Sequence, residues 1–118
     1  MLLLVKQNIE FCKSLFNKLK NSQDKADEFV ILDYFSLKTI QLLERYKISV
    51  IEQYTSLFRE FEEECEKNAK IKQYSVFFFS LVNLLENKYY YFLNDNKQEL
   101  MENVENYVKH LKEIIQND

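Results

Sequence analysis

Apolar residues recur along this chain at three- and four-residue steps, the spacing that gathers side chains on one face of an α-helix. Val5, Ile9, Cys12, Phe16 and Leu19 form the first such stripe, with Leu4, Phe11 and Leu15 widening it. They predict a helix over 2–20, its polar side made basic by Lys6, Lys13, Lys18 and Lys20. Asn21-Ser22-Gln23-Asp24 is a polar connection. Ser22 or Asp24 is placed to cap the next helix, and Asp27 and Glu28 suit its positive N-terminal end.

The segment 26–67 keeps helical periodicity through Leu37, Ile40, Leu43, Val50, Tyr54, Leu57, Phe58, Phe61 and Cys65 without a Gly, Pro or Asn. One long helix, kinked or straight, of about 60 Å at 1.5 Å per residue is the expectation. A break near Lys47-Ile48-Ser49 is the alternative, because Ser49 and Glu52 have capping-box spacing; Asp33 with Ser36 is a weaker cap upstream. Asn68 marks a turn. A further helix is expected over 70–93, where Ile71, Tyr74, Phe78, Val82, Leu85, Tyr89 and Phe92 fall within about 40° of one direction on a helical wheel. Phe77, Leu84 and Tyr91 make a second stripe on that helix, and Phe79 and Tyr90 lie on its opposite flank. Asn94-Asp95-Asn96 reads as a loop. A last helix is expected over 97–116, with Leu100, Val104, Tyr107, Leu111 and Ile114 inward.

Composition narrows the fold. The 118 residues suit one domain over 1–118, and 47% of them are hydrophobic, enough for a core. Glycine and proline are absent. Turns of an all-β fold lean on these residues, so the chain is read as an all-α, antiparallel bundle of four helices, or five if the long one divides. Lys, Asn, Ile, Phe and Tyr replace Gly, Ala, Arg and Pro, the signature of an AT-rich genome.

The formal net charge of −3 and a pI near 5.3 disfavour nucleic acid and anionic membranes as partners. The apolar start, Met1 to Val5, is too short for a signal peptide and lacks a basic lead-in. The longest apolar run, 74–85, is shorter than the roughly 20 residues that span a bilayer. Cys12 and Cys65 match no metal motif and read as free thiols in a reducing compartment, so a cytoplasmic location is expected.

Candidate chemistry is sparse. The acidic run at Glu60, Glu62, Glu63, Glu64 and Glu66 would matter as a di-metal carboxylate site only if the acids faced inward and were joined by Glu-x-x-His pairs. Phe61 and Cys65 occupy the inward positions instead, and the single histidine, His110, has Asn106 and Tyr107 before it. The acids read as a solvated face, and His110 as a surface or rim residue; no cofactor or metal is expected. Tyr89-Tyr90-Tyr91 points phenols in three directions, which amphipathic packing explains and a binding surface would also use.

The expectation is a non-enzymatic protein–protein interaction module (adaptor, chaperone, immunity or regulatory protein). A structural helical component of a larger assembly and a small enzyme without a recognisable motif are the alternatives. Partner contact, with a homodimer foremost, is assigned to Phe77, Leu84, Tyr90 and Tyr91, with Glu62 and Glu63 as an electrostatic docking patch. If 26–67 is one long helix, Phe29, Val30, Leu32 and Phe35 at one end, or Phe58 and Phe61 at the other, are left partly uncovered.

Overall fold

The computed structural model describes residues 2–88, together with Gln98, Glu99, Glu102, Glu105, Asn106, Lys109, His110 and Glu113. Four α-helices stand among these residues: α1 (Leu2–Asn21), α2 (Lys25–Arg45), α3 (Ile48–Lys67) and α4 (Ser75–Glu86), with a 3-10 turn at Lys72–Tyr74 ahead of α4. The eight positions from Gln98 to Glu113 are helical and exposed, and their spacing is that of one polar helix face. The expected loop at 94–96 and the inward stripe of the 97–116 helix lie outside the described residues. The fold is all-α, as the periodicity requires. Among the described residues no helix is long and apolar enough to cross a membrane.

Local chemistry explains most of the boundaries. Asp24 caps α2: its Oδ1 accepts from the Ala26 N–H at 2.9 Å, while the Ser22 hydroxyl braces the same turn by donating to the Asp24 carbonyl at 3.0 Å. After α3, the Asn68 side chain accepts from the Lys70 N–H at 3.0 Å, a local turn that delays the next helix. That helix therefore starts at Ser75 rather than at 70. It ends at Glu86, where the Asn87 side chain turns back to donate to the Asn83 carbonyl at 2.7 Å.

The single long helix does not form. The chain breaks at Tyr46-Lys47, two residues before the Ser49 cap that the sequence offered, and α3 begins at Ile48 with no side-chain cap. The reason lies 42 residues away. Lys88, itself buried, reaches the end of α2 and donates from Nζ to the carbonyls of Leu42 (3.4 Å) and Tyr46. A cation at a helix C-terminus satisfies carbonyls that have no partner within the helix and complements its negative end. The break is thus held from just beyond the end of α4.

The chain packs as two helical hairpins. In the first, Phe11 of α1 meets Tyr34 of α2, and Leu15 with Val30 and Lys18 with Asp27 line one groove, so the helices run antiparallel. In the second, α4 lies antiparallel on α3, the most extensive helix pair of the fold. Across the hairpins the sense is shared. Phe16 stacks on Phe61 and Lys20 pairs with Glu64 at 3.0 Å, so α1 runs with α3. Glu28 meets Tyr74, Phe35 meets Phe78 and the end of α2 meets Lys88, so α2 runs with α4.

The core lies between these two layers. Phe16, Phe35, Phe58, Phe61, Phe77 and Phe78 form one ring cluster to which all four helices contribute, with centroids 4.2 to 6.3 Å apart. Leu32, Phe35, Phe58 and Phe61, which a single long helix would have uncovered, are all buried, because its division folds both halves onto the core. Buried hydroxyls are satisfied inside their own helices: Ser36, Thr39, Thr55 and Ser80 each donate to the carbonyl four residues back at 2.7–2.9 Å. No buried side-chain nitrogen or oxygen among the described residues lacks a partner.

Candidate functional site

Phe77, the first residue of the second stripe, does not lie on a surface. Phe77 is fully buried in the aromatic cluster, because α4 is enclosed on the sides carrying Phe77, Phe78, Leu81 and Leu85. Its assignment to a partner surface is therefore corrected to the core. Leu84 is half-buried against that core. Tyr90 and Tyr91 lie outside the described residues. Val76 and Phe79 remain exposed on the outer side of α4, beside polar Asn83 and Glu86.

The acidic side of α3 faces outward. Glu63 is exposed and Glu62 half-buried. Desolvation raises the Glu62 carboxyl above its ordinary range, with Glu66 and Glu63 adding to the rise and Arg59 opposing it. Within the acidic run Glu64 pairs with Lys20, and Arg59, next to the run, pairs with Glu86. Among the described residues no three His, Cys, Asp or Glu gather as a metal site, and His110 is exposed.

Cys12 and Cys65 are buried and unpaired with each other. Burial pushes the Cys12 thiol up to about 11 against the opposing charge of Lys38; burial, with nearby Glu64, pushes that of Cys65 up to about 12. Both thiols are therefore protonated and unreactive at neutral pH. Their linkage to stability has a definite sign. An unfolded chain loses these protons near pH 9.0, before the folded one does, so the thiols' contribution to stability is intact below pH 9 and is lost as pH rises toward about 12. Urea titrations at stepped pH check this, and Cys12→Ala/Cys65→Ala should flatten the decline. Ellman's reagent should find neither thiol in the native protein at pH 7 and both once it is unfolded.

The surface that stands out is the outer side of the α1–α2 hairpin. Leu4 (69% exposed) and Phe11 (49%) lie one heptad apart on α1, and Val30 (67%) and Leu37 (66%) one heptad apart on α2. Half-buried Leu15 and Tyr34 fill the seam between them. By periodicity alone Leu4, Phe11 and Leu15 belong to the margin of the core stripe. On the wheel they turn about 90° away from Val5, Cys12, Phe16 and Leu19, and α2 alone is too narrow to cover them. Leu37, which periodicity groups with the inward residues, points outward for the same reason.

Two shallow grooves follow this face. One, of about 580 Å³, is lined by Leu15, Lys18, Asp27, Val30 and Ile31 near the turn. The other, of about 360 Å³, runs along α2 past Tyr34, Leu37, Glu44 and Arg45. Lys38 closes the seam: its stem is buried, and its ammonium, lowered in pKa by desolvation, donates to Gln41 Oε1 at 2.8 Å and lies 5.9 Å from the centre of the Tyr34 ring. Such a face can bind apolar side chains between polar rims. No family model, curated protein or solved structure matches the chain.

Proposed function

We propose that this chain is a non-enzymatic protein–protein interaction module that binds through the outer face of the α1–α2 hairpin. The carrying observation is the exposure of Leu4, Phe11, Val30 and Leu37 on one side of a hairpin whose other side is closed by the core. Apolar residues scattered singly are ordinary, but rows on two adjacent helices with a half-buried seam between them are the composition of a docking surface. The flanking residues Lys18, Asp27, Glu44 and Arg45 supply a polar rim of both signs, as interface rims do. The two unpaired, buried cysteines fit a reducing, cytoplasmic setting.

Affinity capture from the native host tests the reading. The wild-type chain should retain a specific protein, this chain or another, that Phe11→Glu/Leu37→Glu loses at unchanged helix content. Equal retention by both baits would remove this face from binding.

A further inference from the structure

We propose that the outer face of the α1–α2 hairpin takes a second copy of this chain, with a two-fold axis parallel to the hairpin that lays α1 of one protomer on α2 of the other. This rests on the interaction reading above and adds the occupant. Two observations favour self-association. The first is the matched spacing of the apolar rows, Leu4 and Phe11 on α1 against Val30 and Leu37 on α2. Phe11 lies beside Tyr34, with ring centroids 5.3 Å apart, and Tyr34 stands between Val30 and Leu37 on α2, so the two rows are staggered by about half a heptad. A half-turn about the hairpin axis exchanges the helices at unchanged height and sets Phe11 between the partner's Val30 and Leu37, an interleaved isologous contact.

The second observation is charge. Lys18 and Asp27 line one groove at the turn end of the hairpin, one on each helix. The same half-turn brings Lys18 opposite the partner's Asp27, and it does so twice in the dimer. The other two-fold, across the hairpin and centred on Phe11, would lay α1 on α1 and set Lys18 at the partner's Leu4, an apolar position without a counter-charge. Opposite charges at a rim fix register and orientation more than they add affinity. The charge pattern thus selects one of the two self-complementary arrangements, a four-helix contact with α1 antiparallel to the partner's α2.

Sedimentation equilibrium on the full chain at micromolar concentration tests this. The wild type should be dimeric, and Leu37→Glu monomeric with unchanged far-UV circular dichroism; Leu37 is exposed in the protomer, so its replacement leaves the fold intact. Lys18→Glu and Asp27→Lys should each weaken the dimer by about tenfold, since each creates two like-charge contacts. Mixing the two variants should restore association. In the mixed dimer one contact keeps the native Lys–Asp pair and the other reverses it. A wild-type dimer indifferent to Leu37→Glu, or a mixture no tighter than its components, would overturn the arrangement. A wild type that stays monomeric at high micromolar concentration would remove the second copy. If that monomer still captures a host protein that Leu37→Glu loses, the interaction reading survives; if it captures none, both readings fall.

Discussion

Phe78→Ala is expected to lower the unfolding free energy by about 3–5 kcal/mol, the range for emptying an aromatic core site. Phe78 is fully buried and touches rings from every helix: Phe16 of α1, Phe35 of α2, Phe58 and Phe61 of α3, and its neighbour Phe77. Edge-on ring pairs add to the area term, so the loss includes both the cavity and these contacts. The chain contains only two alanines and no glycine, and its helices are held apart by large side chains, so little collapse into the hole can follow. Urea denaturation followed at 222 nm measures the cost. Phe78→Leu, which keeps most of the volume, should recover more than half of it. A loss below about 1 kcal/mol for the alanine variant would show that this site adapts.

Tyr74→Phe should cost about 1.5–3 kcal/mol through a single oxygen atom. The Tyr74 hydroxyl donates to Glu28 Oε2 at 2.7 Å, and both residues are buried. Removing the donor strands a carboxylate away from water. Burial, followed by the hydrogen bond to Glu28, raises the Tyr74 hydroxyl well above its ordinary value, so it keeps its proton as the donor at neutral and mildly alkaline pH. The pair also has a diagnostic asymmetry. Replacing both partners by apolar groups, Glu28→Met/Tyr74→Phe, should cost less than Tyr74→Phe alone, because no group is then left unsatisfied. Additive losses would mean that Glu28 reaches water when its donor is gone.

These two sites differ in how far they can be seen from sequence. Phe78 is legible because Ile71, Tyr74, Phe78, Val82 and Leu85 repeat at helical spacing, and all five are buried. The start of α2 is legible because Asp24 precedes an apolar stripe and its side chain can reach only its own next turn. The Glu28–Tyr74 bond is not legible, since nothing local marks a glutamate whose donor is 46 residues away. The division at Tyr46-Lys47 shows in the sequence only as the alternative break near Lys47-Ile48-Ser49, because the group that caps the end of α2 is the distant Lys88. Periodicity also cannot decide which flank of a wide stripe is covered. Phe77 and Phe11 both sit beside a main stripe, yet α4 is enclosed around Phe77 while α1 is open at Phe11. That difference depends on how many helices surround each element. The outer face of the hairpin therefore emerges only from the packing.

The constant offset between the hairpins bears on the order in which the protein can fold. Lys20 to Glu64, Glu28 to Tyr74, and Lys88 to Leu42 and Tyr46 span 44, 46, 46 and 42 positions. Each hairpin forms from neighbours in sequence and forms quickly, but none of these bonds can close until the second half of the chain has been made. A ribosome that has released only the first 67 residues presents a carboxylate, a row of end carbonyls and four of the six clustered rings without the partners that α4 and Lys88 supply. Final assembly is then a docking of two preformed halves, in which apolar contact and polar satisfaction arrive in the same step. Intermediates stopped before that step expose Phe16 and Phe35 on one half and Phe61 and Phe78 on the other. Those halves match each other equally well between different molecules, so exchange of hairpins between chains is the characteristic error of this topology at high concentration.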